Sequence, residues 1–345
     1  MTNLIVLSRK INQLSGIFLL SLVLTLLITA NSCKRSPHWQ ADISRVNIEP
    51  VEIKRYEQVL FNINPHNIVE EVEPHMEEFS LFLGDAIYTE MGQIQLYDYI
   101  TDDFIQEVWE DTREVWEEVS ALEDELTQGF RYFRYHYPQR PLPVFYSYIS
   151  GLDFDYPVKY FENNIIIGLD MFLGKDYLNY ERIGIPAFKR NRFVPQGASV
   201  EVMRAMAEEM LRQSGITPET FLDYMMHEGK ILYFIDCMLP DYSDTLKITY
   251  SKEQMEWASR NQGYAWTFYL DNEMLYSTDR QLIQKFFGSG PFTAPFSRGS
   301  APQMGVFNGW MVVREYMRRN PEVSLEELMR TSDSRLILNQ ARYRP

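Results

Sequence analysis

Ser199-Val-Glu-Val-Met-Arg-Ala-Met-Ala-Glu-Glu-Met-Leu-Arg-Gln-Ser-Gly215, followed by Thr217-Pro-Glu-Thr-Phe-Leu-Asp-Tyr-Met-Met-His-Glu-Gly-Lys-Ile-Leu-Tyr233, is the stretch that decides the fold. Val200, Met203, Met206, Met210 and Leu211 recur at helical spacing, and Gly215 stands where a helix would stop. Thr217 and Pro218 supply an N-cap hydroxyl and a proline at the first helical position, so a second helix is expected to open there. The pair reads as a buried helix hairpin at the centre of the chain.

The hairpin resembles a gluzincin-type metallopeptidase site from which the metal ligands have been lost. Such sites carry His-Glu-x-x-His on one helix, whose two histidines four apart grip one ion through neutral ring nitrogens, and take a Glu ligand from a later helix. Here Glu208-Glu209-Met210-Leu211-Arg212 occupies the first pattern and Glu228-Gly229-Lys230 the second. Arg212 has no lone pair to offer. The resemblance therefore implies a degenerate site of Glu208, Glu209, Arg212 and Glu228, with no catalytic residue, metal or other cofactor. The competing reading is a hydrolase that uses Glu208, Glu209 and Glu228 as an unconventional carboxylate site, because paired carboxylates can share acid–base work when their environments separate their pKa values. None of the five histidines, at 38, 66, 75, 136 and 227, pairs with another at ligand spacing.

Upstream of the hairpin, Val144–Ile149 and Asn164–Leu169 read as strands joined by a polar connection, and Val46 to Ile53 as short extended pieces. Thr101–Gln128 reads as one long amphipathic helix, with Val108, Trp109, Val115, Trp116 and Leu122 on its apolar stripe and glutamates opposite. The basic cluster Lys189-Arg-Asn-Arg192 reads as loop. Downstream, Ser251–Leu270, Asp279–Phe287 and Asn308–Met317 read as helices, and Ser324-Leu-Glu-Glu327 has capping-box spacing. The fold class expected is α+β: a mostly helical, zincin-like domain with a small sheet before the central helix.

The first residues have a different character. Arg9 and Lys10 precede an apolar run from Ile17 to Thr29, and Ala30-Asn31-Ser32-Cys33 follows. This pattern resembles a lipoprotein signal whose cleavage leaves Cys33 to carry the lipid. The expected organisation is a signal peptide at 1–32, a lipid-anchored tether at 33–45, and one domain at 46–345. Loss of Arg9 and Lys10 would take the formal net charge from −15 to −17. A chain this acidic is a poor partner for nucleic acid. With Cys33 lipidated, Cys237 would have no disulfide partner and reads as a buried thiol.

Taken in order, Cys33, Ile53–Phe61, Gly168–Gly174, Thr220–Lys230, Gly290–Phe292 and Gly305–Met317 resemble the gliding-motility lipoprotein B family (GldB) of the Bacteroidota. The resemblance implies an envelope protein held to the membrane by lipid on Cys33, facing the periplasm and associated with the outer rather than the inner membrane. It also implies partners among envelope or gliding-machinery proteins.

Overall fold

The computed structural model describes residues 41–345. Their four strands are β1 (Ile53–Arg55), β2 (Val144–Tyr148), β3 (Val158–Phe161) and β4 (Asn164–Gly168). Helices of eight or more residues are α1 (Glu90–Thr101), α2 (Asp103–Val115), α3 (Ser120–His136), α4 (Gly197–Gln213), α5 (Phe221–Met238), α6 (Lys252–Asp271), α7 (Arg280–Phe287), α8 (Met304–Arg319) and α9 (Ser334–Ala341). The class is α+β.

The strands form one sheet in the order β1-β2-β4-β3, parallel except for β3, which runs antiparallel to β4 at the edge. Strand alternation sends successive side chains to opposite faces. Phe145, Ile165 and Ile167 enter the main core with α3, α4 and α5, whereas Tyr146 faces a satellite core built with Tyr56, Phe79, Leu83 and Ile100. The sheet therefore separates two apolar clusters.

Helix α5 is apolar nearly all round, and fourteen of its eighteen residues are buried, so it has to be wrapped on every side. Helices α4 and α8 supply most of that wrapping. Against α8 the backbones nearly touch: a Cβ on Gly309 would lie 2.1 Å from the Met225 carbonyl oxygen, and one on Gly229 2.5 Å from the Gly309 oxygen. Only glycine permits that approach.

Helix α4 ends as its sequence suggests, with Gly215 in the left-handed region at φ +71°. Three other expectations need correction. The second hairpin helix starts at Phe221, not after Thr217; Thr220 accepts from the Asp223 amide and Asp223 bonds back, a closed capping box that outcompetes the Thr-Pro start. Thr101–Gln128 is not one helix: the Arg55 guanidinium takes the carbonyls of Trp116 and Glu117, and the chain breaks between α2 and α3. The connection before β4 is not merely polar loop. It contains β3, joined to β4 by Glu162 and Asn163, both at positive φ, in the manner of a two-residue primed turn.

Candidate functional site: an acid–base cleft beside helix α4

The face of α4 not spent on the core carries Glu201, Arg204, Ala205 and Glu208, residues at i, i+3, i+4 and i+7 and therefore on one stripe. That stripe looks into a cleft of about 370 Å³, and Glu228 reaches the same cleft from α5. Its rim includes the start of β3, the Phe188–Arg192 segment, and Gln303 just before α8. Edge strand, helix hairpin and the α8 entrance thus converge on one concavity.

Charges inside it are arranged in two groups. Glu201 is buried and gripped by the Arg192 fork, Nε to Oε1 at 3.1 Å with a second bond from Nη2 to Oε2. Arg204 stands 4.0 Å from the same carboxylate and donates to the Lys247 carbonyl at 3.3 Å. Lys189 pairs with Asp155 at 3.5 Å above the Phe154 ring. These cations are already engaged.

Glu208 and Glu228 are not. Neither accepts a hydrogen bond or forms an ion pair with a described residue. Glu208 keeps contact with solvent inside the cleft, yet the protein around it raises its carboxyl pKa. Burial is the largest cause; Arg204 opposes it, and the charges of Glu201 and Glu228 add to it. Burial raises Glu228 as well, again against Arg204. Two carboxyls of raised pKa in one cleft can each accept hydrogen bonds from an incoming amide or amine, or, when protonated, pass a proton to a bound group.

The structure thus brings Glu208 and Glu228 together and separates Glu209 and Arg212 from them. Arg212 is 75% exposed and clamps Glu209 through two 2.7 Å bonds outside the cleft, with Gln213 adding a third at 2.8 Å. Those bonds outweigh burial and hold the Glu209 carboxyl below its ordinary value. Sequence reading missed Glu201, Arg204, Arg192 and Lys189. The basic cluster is a short 3-10 helix, and its Lys189 and Arg192 line the cleft rather than serving only as loop. The available signal was the stripe at 201, 204, 205 and 208, whose polar side chains are in phase with one another and out of phase with Met203, Met206 and Met210.

The only i,i+4 pairs of α4 inside the cleft are 201/205 and 204/208. A tetrahedral zinc site with two helix ligands would have to use the latter. Arg204 has no lone pair, and Ala205 sits where a general base would follow the first ligand. Among the described residues no group of three or more His, Cys, Asp or Glu is arranged to hold a metal ion. The donor set does not fit zinc.

Several other buried polar groups have structural employment. Asp236 accepts from Lys247 at 3.0 Å, Trp310 Nε1 at 2.8 Å and the Arg314 fork at 2.7 Å, and Arg314 also binds Asp244. This network ties α5 to α8 and the short helix Asp244–Ile248. Cys237 is buried, and burial pushes its thiol pKa well up, which suits packing and not attack. Lys230, pushed down to about 8 by burial against the pull of Asp223, donates to the Thr331 carbonyl. No helix among the described residues is long and apolar enough to cross a membrane. Cys33, the expected lipidation site, lies outside the described residues.

Comparison with curated proteins and with solved structures returns no match in either case. The family model described as gliding motility protein GldB matches residues 36–345, which takes in the sheet, the helix hairpin and every residue of the cleft. The chain belongs to the GldB family of gliding-motility lipoproteins.

Proposed function

We propose that the protein is a lipid-anchored, periplasm-facing component of the cell envelope that works by holding an envelope partner and not by catalysis. In this reading Cys33 carries the lipid, the outer membrane is its site, and the cleft is a zincin-like site whose chemistry has been lost. The observation that supports it is the composition of the α4 stripe: Arg204 and Ala205 occupy the positions where a metal ligand and its neighbouring base would be needed. A hydrolase using Glu208 and Glu228 is the second reading, supported by their shared cleft and their lack of protein partners.

The two differ over what the carboxylates are for. A Glu208→Gln, Glu228→Gln double variant removes proton exchange and keeps shape. On the binding reading it retains both the partner captured by crosslinking from intact cells and the protein's role in those cells, and the purified wild-type chain carries substoichiometric zinc. A well-folded double variant that keeps its partner but loses that role would overturn the binding reading in favour of the hydrolase.

A further inference from the structure

The negative charge of this protein is concentrated in one place. From Tyr56 to Thr112 the chain contains fourteen Asp and Glu and not one Lys or Arg, against a formal net charge of −15 for all 345 residues. Glu70, Glu71, Asp85, Glu90 and Asp98 are exposed, and none forms an ion pair with a described residue. The same region exposes apolar surface. Helix α1 turns Ile100 into the satellite core with Leu96 and Tyr99 beside it, yet its other flank presents Met91 at 64% exposure, Ile94 at 46% and Tyr97 at 39%, continued by Tyr88 at 51%. A helix with apolar side chains on both flanks is ordinarily covered on both. Here one flank is uncovered among the described residues.

We propose that this flank of α1 docks a basic amphipathic segment of a partner protein: an apolar strip that seats on Met91, Ile94 and Tyr97, edged by Lys or Arg that meet Glu90, Asp98 and the neighbouring acids. Charge complementarity selects this occupant. An anionic lipid surface is attracted by basic and not acidic segments, and a second copy of the same flank would bring like charges together. An apolar centre with a charged rim is the usual anatomy of a protein interface, and the rim sets partner choice and the rate of encounter. The proposal rests on the partner-holding reading above and adds to it the surface and the chemistry of the partner.

A photo-crosslinking residue placed in the full-length, membrane-anchored chain at Met91 or Ile94 tests it in intact cells, with Tyr156 at the cleft mouth and Tyr264 on α6 as comparison positions. The expected result is one dominant protein adduct from 91 and 94, absent at 264, whose linked peptide is net basic with apolar residues at helical spacing. Adding Glu90→Gln and Asp98→Lys, both exposed, should leave thermal unfolding unchanged and lower the adduct yield by about tenfold, since rim charges govern encounter. An adduct to phospholipid, to a second copy of this chain or to a neutral or acidic peptide overturns the proposal, as does a yield unchanged by the charge variant. A partner captured only at 156 also overturns it while leaving the partner-holding reading standing. No adduct at any position removes both.

Discussion

Glu228 shows how far one residue's chemistry can be inferred from its surroundings. Burial raises its carboxyl pKa above the ordinary value near 4.5, so the folded state holds the proton more tightly than the unfolded chain does. The sign follows from linkage: where the native state binds more protons, stability falls as pH rises. The group's penalty is absent below the unfolded value, grows from about pH 4.5 up to the raised native pKa, and is constant above it. Glu228→Gln should therefore melt at the same temperature as wild type near pH 4 and at a higher temperature near pH 7, measured by calorimetry across that range. A variant less stable than wild type at pH 7 would mean that Arg204 outweighs burial. Sequence reading reached Glu208 and Glu228 but put Glu209 and Arg212 beside them: Glu209 is about 100° round the helix from Glu208, and the Arg212 side chain turns to pair with Glu209. The apolar spacing told which side of α4 is core; it did not tell which polar side faced a cavity and which faced water.

Elements made of contiguous pattern were legible, and elements decided by distant contacts were not. The stripe of α4, its Gly215 stop, the Ser324 capping box and the strands β2 and β4 follow from local spacing and turn chemistry. The break between α2 and α3 is held by a guanidinium 61 and 62 residues upstream of the carbonyls it binds, which no local window contains. The hairpin of β3 and β4 left a signal in Asn163, a residue that tolerates positive φ, but β3 is a short edge strand whose alternation is weak. The packing of α5 on α8 is the most testable element. Gly309→Ala gains up to about 1 kcal/mol of helix propensity. It also drives a methyl group into the Met225 carbonyl, and backbone on both sides leaves no flexible side chain to yield. Overpacking of this kind costs about 1–3 kcal/mol or more, so denaturant unfolding should show a net loss of stability, with Gly229→Ala following it. A neutral Gly309→Ala would show that the two helices can separate without disturbing the core around Trp310.

At the scale of the whole molecule, the chain belongs to a family of gliding-motility lipoproteins, and on the proposed reading the lipid on Cys33 is what places it. No helix among the described residues is long and apolar enough to cross a membrane, so attachment through lipid on Cys33, through the apolar run before it or through docking are the alternatives an experiment has to separate. Lipid attachment is additive: each buried methylene contributes about 0.8 kcal/mol, so one chain holds marginally and several hold firmly. A multiply acylated Cys33 should resist high salt, because hydrophobic insertion is indifferent to screening, whereas docking through the acidic region would weaken as the Debye length falls to about 3 Å at 1 M salt. Cys33→Ala is accordingly expected to move the protein from the membrane pellet to the soluble periplasmic fraction, with wild type remaining in the pellet after a 1 M-class salt wash. A Cys33→Ala protein that stays in the pellet and is released only by salt would place the attachment in the acidic face. One that stays in the pellet through the wash would place it in an uncleaved apolar segment.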